Sequence, residues 1–401
     1  MGLNETVSAE RLHIGFFGMR NAGKSSLVNA VTGQALSVVS DVKGTTTDPV
    51  KKAMELLPLG PVVILDTPGL DDEGDLGELR VKKARQCLAQ TDLAVVVLDA
   101  TVGIGRQDAA LLDELKTRDI PYVLAYNKAD LLDRRTALGQ NAIYVSAVTG
   151  EGIHALKEML GTFAGKRKKT SLLVRDLLTA GDLVVLVTPI DESAPKGRLI
   201  LPQQMVLRDC LDAHAAAVVC QPDELPQILA SLGRKPRMVI TDSQVFGQVD
   251  AMTPADIPLT SFSILMARYK GDLAALVEGF AALKRLRDGD RVLIAEGCTH
   301  HRQCNDIGTV KLPGWIERFT GVKPDYRFTS GGEFPDTLAD FRVIVHCGGC
   351  MLNDAEMKHR IGRAREAGVP IVNYGIAIAG MHGILTRSLA LFPEVSAPTE
   401  G

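Results

Sequence analysis

Two groups of residues in this chain have the types and spacing to do chemistry. The first is Gly18-Met19-Arg20-Asn21-Ala22-Gly23-Lys24-Ser25, which fits the phosphate-loop pattern G-x-x-x-x-G-K-[ST]. It follows the apolar run ending at Phe17 and opens a helical pattern over Ser25 to Val31, the context the pattern requires. Glycines at Gly18 and Gly23 let backbone N–H groups of Ala22 to Ser26 approach phosphates, and a helix N-terminus adds positive potential. Lys24 is expected to reach the β- and γ-phosphates and the Ser25 hydroxyl to ligate Mg²⁺.

The base is specified further along. Asp130 of Asn127-Lys128-Ala129-Asp130 can accept two N–H bonds from guanine N1 and N2. Adenine has no such donor pair, and a missing partner costs on the order of 1–3 kcal/mol. Ser146-Ala147, after the next strand, suits a backbone contact to guanine O6. Asp66 of Asp66-Thr67-Pro68-Gly69 is expected to act through the Mg²⁺ shell, and the Gly69 N–H to face the γ-phosphate. Between them Gly44-Thr45-Thr46-Thr47-Asp48 forms a polar loop suited to sensing γ-phosphate and metal, with Thr45 and Thr46 at the nucleotide and Thr46 on Mg²⁺. Lys24, Asn21, Asp66, Gly69 and Thr46 are the expected hydrolytic machinery of a GTP/GDP cycle.

The second group is Cys298-Thr299-His300 followed by His346-Cys347-Gly348-Gly349-Cys350, with 45 residues between the two histidines. Each half follows a predicted strand, where open α/β sheets place ligand sites. Three readings compete on residue types alone. These are buried thiols with core histidines, a zinc site of Cys₃His or Cys₂His₂ type, and an iron–sulfur cluster on three thiolates. The glycines between Cys347 and Cys350 favour the bulkier inorganic body. Cys304 and His301 lie beside the motif, whereas Cys87, Cys210 and Cys220 fall in apolar patterns and read as core.

The elements that must position these groups alternate strand and helix, which implies an α/β chain with mostly parallel sheets. A first block over residues 1–166 has strand candidates at Leu12–Phe17, Val62–Leu65, Ala94–Leu98, Tyr122–Tyr126 and Ala142–Val145, the pattern of a doubly wound sheet. The basic run from Lys166 to Lys169 reads as a linker. A middle α/β block over 167–261 has strands at Leu183–Val187, Ala215–Val219 and Met238–Ile240 and no catalytic spacing, as expected of an assembly surface. A third α/β block over 262–401 has strands at Arg291–Ala295, Tyr326–Thr329, Phe341–Val345 and Pro370–Asn373. No internal repeat stands out.

Composition narrows the class. Aromatics are 4% of the chain and the formal net charge is −3, which argues against a nucleic-acid partner. No apolar run approaches the ~18 residues that span a bilayer. Seven cysteines without an export-like apolar segment suggest a cytoplasmic protein with thiols used as ligands or core.

The first block resembles the tRNA-modification branch of the translation-factor-related GTPases. Asn21 matches the position where those relatives bind K⁺, so the resemblance implies slow hydrolysis stimulated by K⁺. Leu70 stands where Ras-like enzymes carry a water-orienting Gln, and Thr47 replaces the Arg of the relatives' G-T-T-R-D switch. The whole arrangement, with C-x-H and H-C-x-x-C behind a GTPase block, resembles the family of [FeFe]-hydrogenase maturation GTPases. That resemblance implies a homodimer through the middle block and a [4Fe–4S] cluster on Cys298, Cys347 and Cys350, with His300 and His346 as labile ligands, second-shell donors or contacts for delivered cargo. It also implies a scaffold role: receiving a di-iron precursor from two radical-SAM maturases and delivering it to apo-hydrogenase. The rival reading is a tRNA- or ribosome-acting GTPase with a structural zinc domain.

Overall fold

The computed structural model describes residues 8–34, 50–67, 83–166, 172–190, 199–298 and 306–395. The chain divides into two compact units, residues 1–168 and 169–401. In the first, β1 (Leu12–Phe17), β3 (Gly60–Asp66), β4 (Leu93–Asp99), β5 (Tyr122–Asn127) and β6 (Ala142–Tyr144) run parallel, and β2 (Val50–Leu56) pairs antiparallel with β3. The strand order is β2-β3-β1-β4-β5-β6. The central strands read as continuous apolar runs because both faces are covered. Leu27, Val31, Leu156 and Leu160 pack on one face; Leu88, Leu111 and Leu115 pack on the other. The antiparallel β2 has no counterpart in the expected strands.

The second unit holds two four-stranded parallel sheets. The first contains β7 (Leu183–Val187), β8 (Ala216–Cys220), β9 (Met238–Thr241) and β10 (Leu259–Ser261), in the order β10-β9-β7-β8. The second contains β11 (Arg291–Ala295), β12 (Asp325–Thr329), β13 (Val343–His346) and β14 (Ile371–Asn373), in the order β12-β11-β13-β14. Read from the second strand inward, both orders are 2-1-3-4. The absence of a sequence repeat therefore conceals a repeat of architecture. One continuous core from Leu173 to Phe392 runs through both sheets.

The fourth strands end alike. Ser261 closes β10 and its Oγ accepts the Ile264 N–H, starting the helix Phe262–Lys270; Asn373 closes β14 and its Oδ1 accepts the Gly375 and Ile376 N–H groups, starting the helix Tyr374–Met381. Short polar side chains of this kind satisfy donors that a helix start leaves unmatched. The two helix starts also meet: the Ser263 hydroxyl, in the first turn of one, donates to the Asn373 cap's Oδ1 at 3.1 Å and accepts the Gly375 N–H at 3.2 Å. No helix among the described residues is long and apolar enough to cross a membrane.

Candidate functional sites

The phosphate loop is built between β1 and the helix Lys24–Thr32. Gly23 takes a left-handed conformation (φ 87°), and a Cβ there would collide with the Asn127 side-chain amide. Asn21, also left-handed at φ 61°, is exposed at the turn. Lys24 is buried, and its Nζ donates to Gly18 O at 2.9 Å and Met19 O at 2.8 Å, so the ammonium is parked on the loop's own carbonyls. The Ser25 hydroxyl donates to Asp66 Oδ2 at 3.0 Å, which brings together the two groups expected to share Mg²⁺. Ser26 follows in the first helical turn.

Asn127, only 3% exposed, joins this loop to the base-reading segments. Its amide donates to Ala22 O at 2.9 Å, and its Oδ1 accepts the Ala147 N–H at 3.0 Å. Lys128 (φ 64°) pairs with Asp99 at 2.6 Å. Partial burial raises the Asp99 carboxyl, but hydrogen bonds from Lys128 and Thr101 outweigh it and hold the group below its ordinary range. Asp130 is exposed in the short turn that follows β5. Ser146 is buried, and its hydroxyl accepts the Thr149 N–H, fixing the turn that presents Ala147. Thr45, Thr46, Thr47, Gly69 and Leu70 lie outside the described residues.

The thiol site sits at the carboxyl ends of β11 and β13, adjacent strands of the last sheet. β12 lies to one side of β11 and β14 to the other side of β13. The point at which a strand order reverses in this way is the usual ligand position in a parallel sheet. Cys298 comes three residues after β11; Cys347 and Cys350 follow β13 directly, and all three are partly exposed. The Gly297 N–H donates to Cys347 Sγ at 3.0 Å and the Gly349 N–H at 3.4 Å. Gly349 is left-handed (φ 63°), and a Cβ there would press on Met357. Burial and the nearby Cys350 raise the Cys347 thiol to about 11; burial likewise raises Cys350, partly offset by Lys270. A raised value means that the thiolate form needs a compensating positive charge, which a metal supplies.

Among the described residues no group of three or more His, Cys, Asp and Glu side chains is drawn together as a metal cage. The donor types nevertheless suit a soft metal or cluster: three thiols follow two adjacent strands, and two backbone N–H groups are aimed at the Cys347 sulfur. His300, His301 and Cys304 lie outside the described residues. His346 is fully buried. Its Nδ1 is 2.7 Å from Cys347 O, and its Nε2 is 3.1 Å from an Arg360 guanidinium nitrogen. Burial, then the Arg360 charge, lowers its pKa to about 3. The ring is therefore neutral, donating from Nδ1 and accepting at Nε2, and ligation through Nε2 would require Arg360 to let go. By contrast, Cys87, Cys210 and Cys220 are buried, as core residues should be, and desolvation pushes each to about 11.

Two residues at this site went unnoticed in the sequence. Arg360, fully buried, also donates to Glu356 at 2.8 Å and Gly331 O at 2.7 Å, and lies 5.1 Å from the Phe334 ring. Its helical face was readable, since Met357 at i−3 and Ala364 at i+4 share it. Lys270, 1% exposed, ends the helix Phe262–Lys270 of the neighbouring sheet and donates to Cys350 O at 3.1 Å and Leu352 O at 2.7 Å. No local pattern marks it.

A phosphate loop after β1, an Asp at the end of β3 and an Asn-Lys-x-Asp segment after β5 define the first unit as a P-loop GTPase domain. A family model described as 50S ribosome-binding GTPase matches residues 13–128. The remainder matches the hydrogen maturase F dimerization domain over 173–271 and the hydrogen maturase F tetramerization domain over 274–391, and the chain belongs to that family. The tRNA modification GTPase MnmE of Xanthomonas euvesicatoria is 42% identical over 155 residues, 38% of this chain and 34% of the relative. MnmE of Nitrosomonas europaea is 33% identical over 161 residues, 39% and 35% respectively. The chain thus spans about a third of the length of these curated relatives. Among solved structures, Aquifex aeolicus Era bound to GDP and aluminium fluoride aligns at TM-score 0.34 and 20% identity, covering 55% of this chain and 98% of that one. The G domain of T. maritima FeoB aligns at TM-score 0.30 and 26% identity, covering 39% and 99%.

Proposed function

We propose that this protein is a GTP-hydrolysing scaffold that holds a [4Fe–4S] cluster and carries a di-iron precursor to apo [FeFe]-hydrogenase. What supports the proposal is that Cys298 and the Cys347–Cys350 pair follow the adjacent strands β11 and β13, in a chain of the hydrogen maturase F family. Three thiolates would hold the cluster and leave one iron for a bridging or exchangeable ligand. The Gly297 and Gly349 N–H groups stabilise negative charge on Cys347, and the Arg360–His346 pair holds the loop behind it. His346 serves in this reading as a positioning residue. The expected three domains, 1–166, 167–261 and 262–401, then divide the work into nucleotide hydrolysis, dimerisation and cluster binding.

In the first domain Lys24 leaves its two carbonyls for the β- and γ-phosphates, Asp130 reads guanine, and Ser25 and Asp66 hold Mg²⁺. When bound, Mg²⁺ neutralises charge on the transferred phosphoryl group. Asn21 holds K⁺, and Thr46 and Gly69 complete the γ-phosphate contacts. Reordering of the loops around Thr46 and Gly69 changes affinity for the two radical-SAM maturases and the apo-hydrogenase, as linkage requires of a nucleotide switch. Family membership and the low aromatic content favour this reading over a tRNA- or ribosome-acting GTPase with structural zinc.

The test is iron and sulfide content with EPR of the reduced state, on anaerobically prepared wild type and on Cys298→Ser, Cys347→Ser and Cys350→Ser. A four-iron signal lost in each variant supports the proposal. Stoichiometric zinc without sulfide refutes it. Partner affinities that are identical in GTP and GDP would remove the switch from it.

A further inference from the structure

Lysines are rarely buried, because removing an ammonium from water costs several kcal/mol unless it is well partnered. Two are buried among the described residues, Lys24 and Lys270. They are held in the same manner. Each Nζ donates to two carbonyls of one functional loop: Gly18 and Met19 for Lys24, Cys350 and Leu352 for Lys270. In the phosphate loop the parked cation serves an anionic ligand. The second cation sits behind the loop that carries two of the three thiols.

Its origin matters as much as its charge. Lys270 closes the helix Phe262–Lys270, which follows β10 of the other sheet. That helix buries Ile264, Leu265, Met266 and Ala267, so its end is fixed by packing. Its start is fixed too, through Ser263 on Asn373 and Gly375. A Cβ on Gly348 would lie 3.5 Å from Ser263 Oγ, so the same helix also flanks the Cys347–Cys350 turn. For packing alone a Met or Leu would serve at 270, with no desolvated charge to satisfy.

We propose that Lys270 is a positioning residue for the cluster: it clamps the Cys347–Cys350 loop from the neighbouring sheet and supplies the fixed positive charge that sets the cluster's reduction potential. This inference rests on the cluster reading above. A cluster on three thiolates is an anion, and reduction makes it more so. A buried cation beside it therefore favours the reduced state. The cluster site on this account belongs to both sheets of the second unit.

The test uses full-length protein, reconstituted anaerobically, as wild type, Lys270→Met and Lys270→Arg. Iron and sulfide per chain, EPR-monitored reductive titration and GTP hydrolysis are read for each. Lys270→Met is expected to shift the midpoint potential to more negative values, and Lys270→Arg to return it towards wild type. GTP hydrolysis, which belongs to the other unit, should be unchanged in both. A wild-type cluster with an unmoved potential in Lys270→Met overturns the inference alone. If Lys270→Met fails to hold a cluster, Lys270→Arg decides: a potential near wild type supports the charge, and a fall below it overturns the proposal. Zinc without sulfide in the wild type overturns the cluster reading and this inference with it.

Discussion

Asn127→Ala isolates the joint between the phosphate loop and the base-reading loops. The side chain spans two segments that are far apart in sequence, bonding Ala22 O at 2.9 Å and the Ala147 N–H at 3.0 Å. Alanine removes both bonds and leaves the backbone groups in place. Ala22 is buried, so its carbonyl regains no water and contributes about 1–3 kcal/mol of loss. Ala147 is only partly buried, and water recovers part of the second bond. A total near 2–3 kcal/mol corresponds to about 30- to 150-fold in an equilibrium constant. It should divide between weaker GTP binding and a lower melting temperature of the GTPase unit. Titration with a fluorescent guanine nucleotide and calorimetry of the full chain read the two shares. Asn127→Asp sharpens the test. It keeps an acceptor for Ala147 but sets a carboxylate against Ala22 O, so it should bind no better than Asn127→Ala. Gly23→Ala, whose new methyl displaces the same amide, should be less than additive with Asn127→Ala. Affinity and melting temperature both near wild type in Asn127→Ala, or an Asp variant clearly tighter than the Ala variant, would refute this account.

Three further outcomes are expected. Arg360→Ala strands Glu356, the Gly331 carbonyl and His346 in a dry site and should cost the second unit about 3–5 kcal/mol in urea unfolding, whereas Arg360→Met with Glu356→Leu should cost less. The Arg268 bonds hold the Asp176 carboxyl below its ordinary range. A depressed carboxyl pKa stabilises the fold above its unfolded value of about 3.9 and loses that contribution as pH falls further, so Arg268→Met should lower stability above about pH 4 and flatten the acid limb of the unfolding curve below it. GTP hydrolysis should be faster in K⁺ than in Na⁺, and Asn21→Ala should abolish the difference; equal rates in the wild type would remove K⁺ from the mechanism.

What the sequence disclosed, and what it hid, follows from the range of the interactions involved. Lys24, Asn127 and Cys347 were legible because each belongs to a short motif placed next to an apolar run, and a parallel strand buried on both faces is such a run. Thus Leu183–Val187 and Arg291–Ala295 are found at their expected bounds. β10 is three residues long and merges into the helix that follows, so only its flanking polar cap betrays it, whereas the apolar run at Pro370–Asn373 marked β14. β2 lies at a sheet edge with Lys51, Lys52, Ala53 and Glu55 exposed, and its three charges mask it as a loop. Lys270 was invisible for a different reason. Its partners are carbonyls 80 and 82 residues away, and a carbonyl carries no side-chain signature. Arg360 stood among Lys358, Arg363 and Arg365, and four cations on one helix look alike until the apolar face is drawn.

The repeated strand order also explains why the middle block seemed chemically silent. Both sheets of the second unit have the wiring that opens a crevice between the first and third strands. In the last sheet the residues at that point are thiols and glycines, which leave room and offer soft donors. In the middle sheet Asp242 Oδ1 accepts the Gln244 N–H, the Ser243 hydroxyl donates to Ser261 Oγ, and Ser261 Oγ accepts the Ile264 N–H. Its polar groups at the strand ends cap the sheet's own helices. One of the helices so started carries Ser263 and Lys270 to the neighbouring sheet. The middle sheet therefore does its work by fixing the start and the end of that helix. Because the Ser261 cap sets the helix's first turn, Ser261→Ala should loosen the Lys270 end as well, through the helix rather than through any contact with the thiols. Hydrogen exchange would read this as faster exchange at Gly349 and Leu352. Unchanged protection there, with faster exchange confined to the first helical turn, would mean that the two sheets are coupled by packing alone.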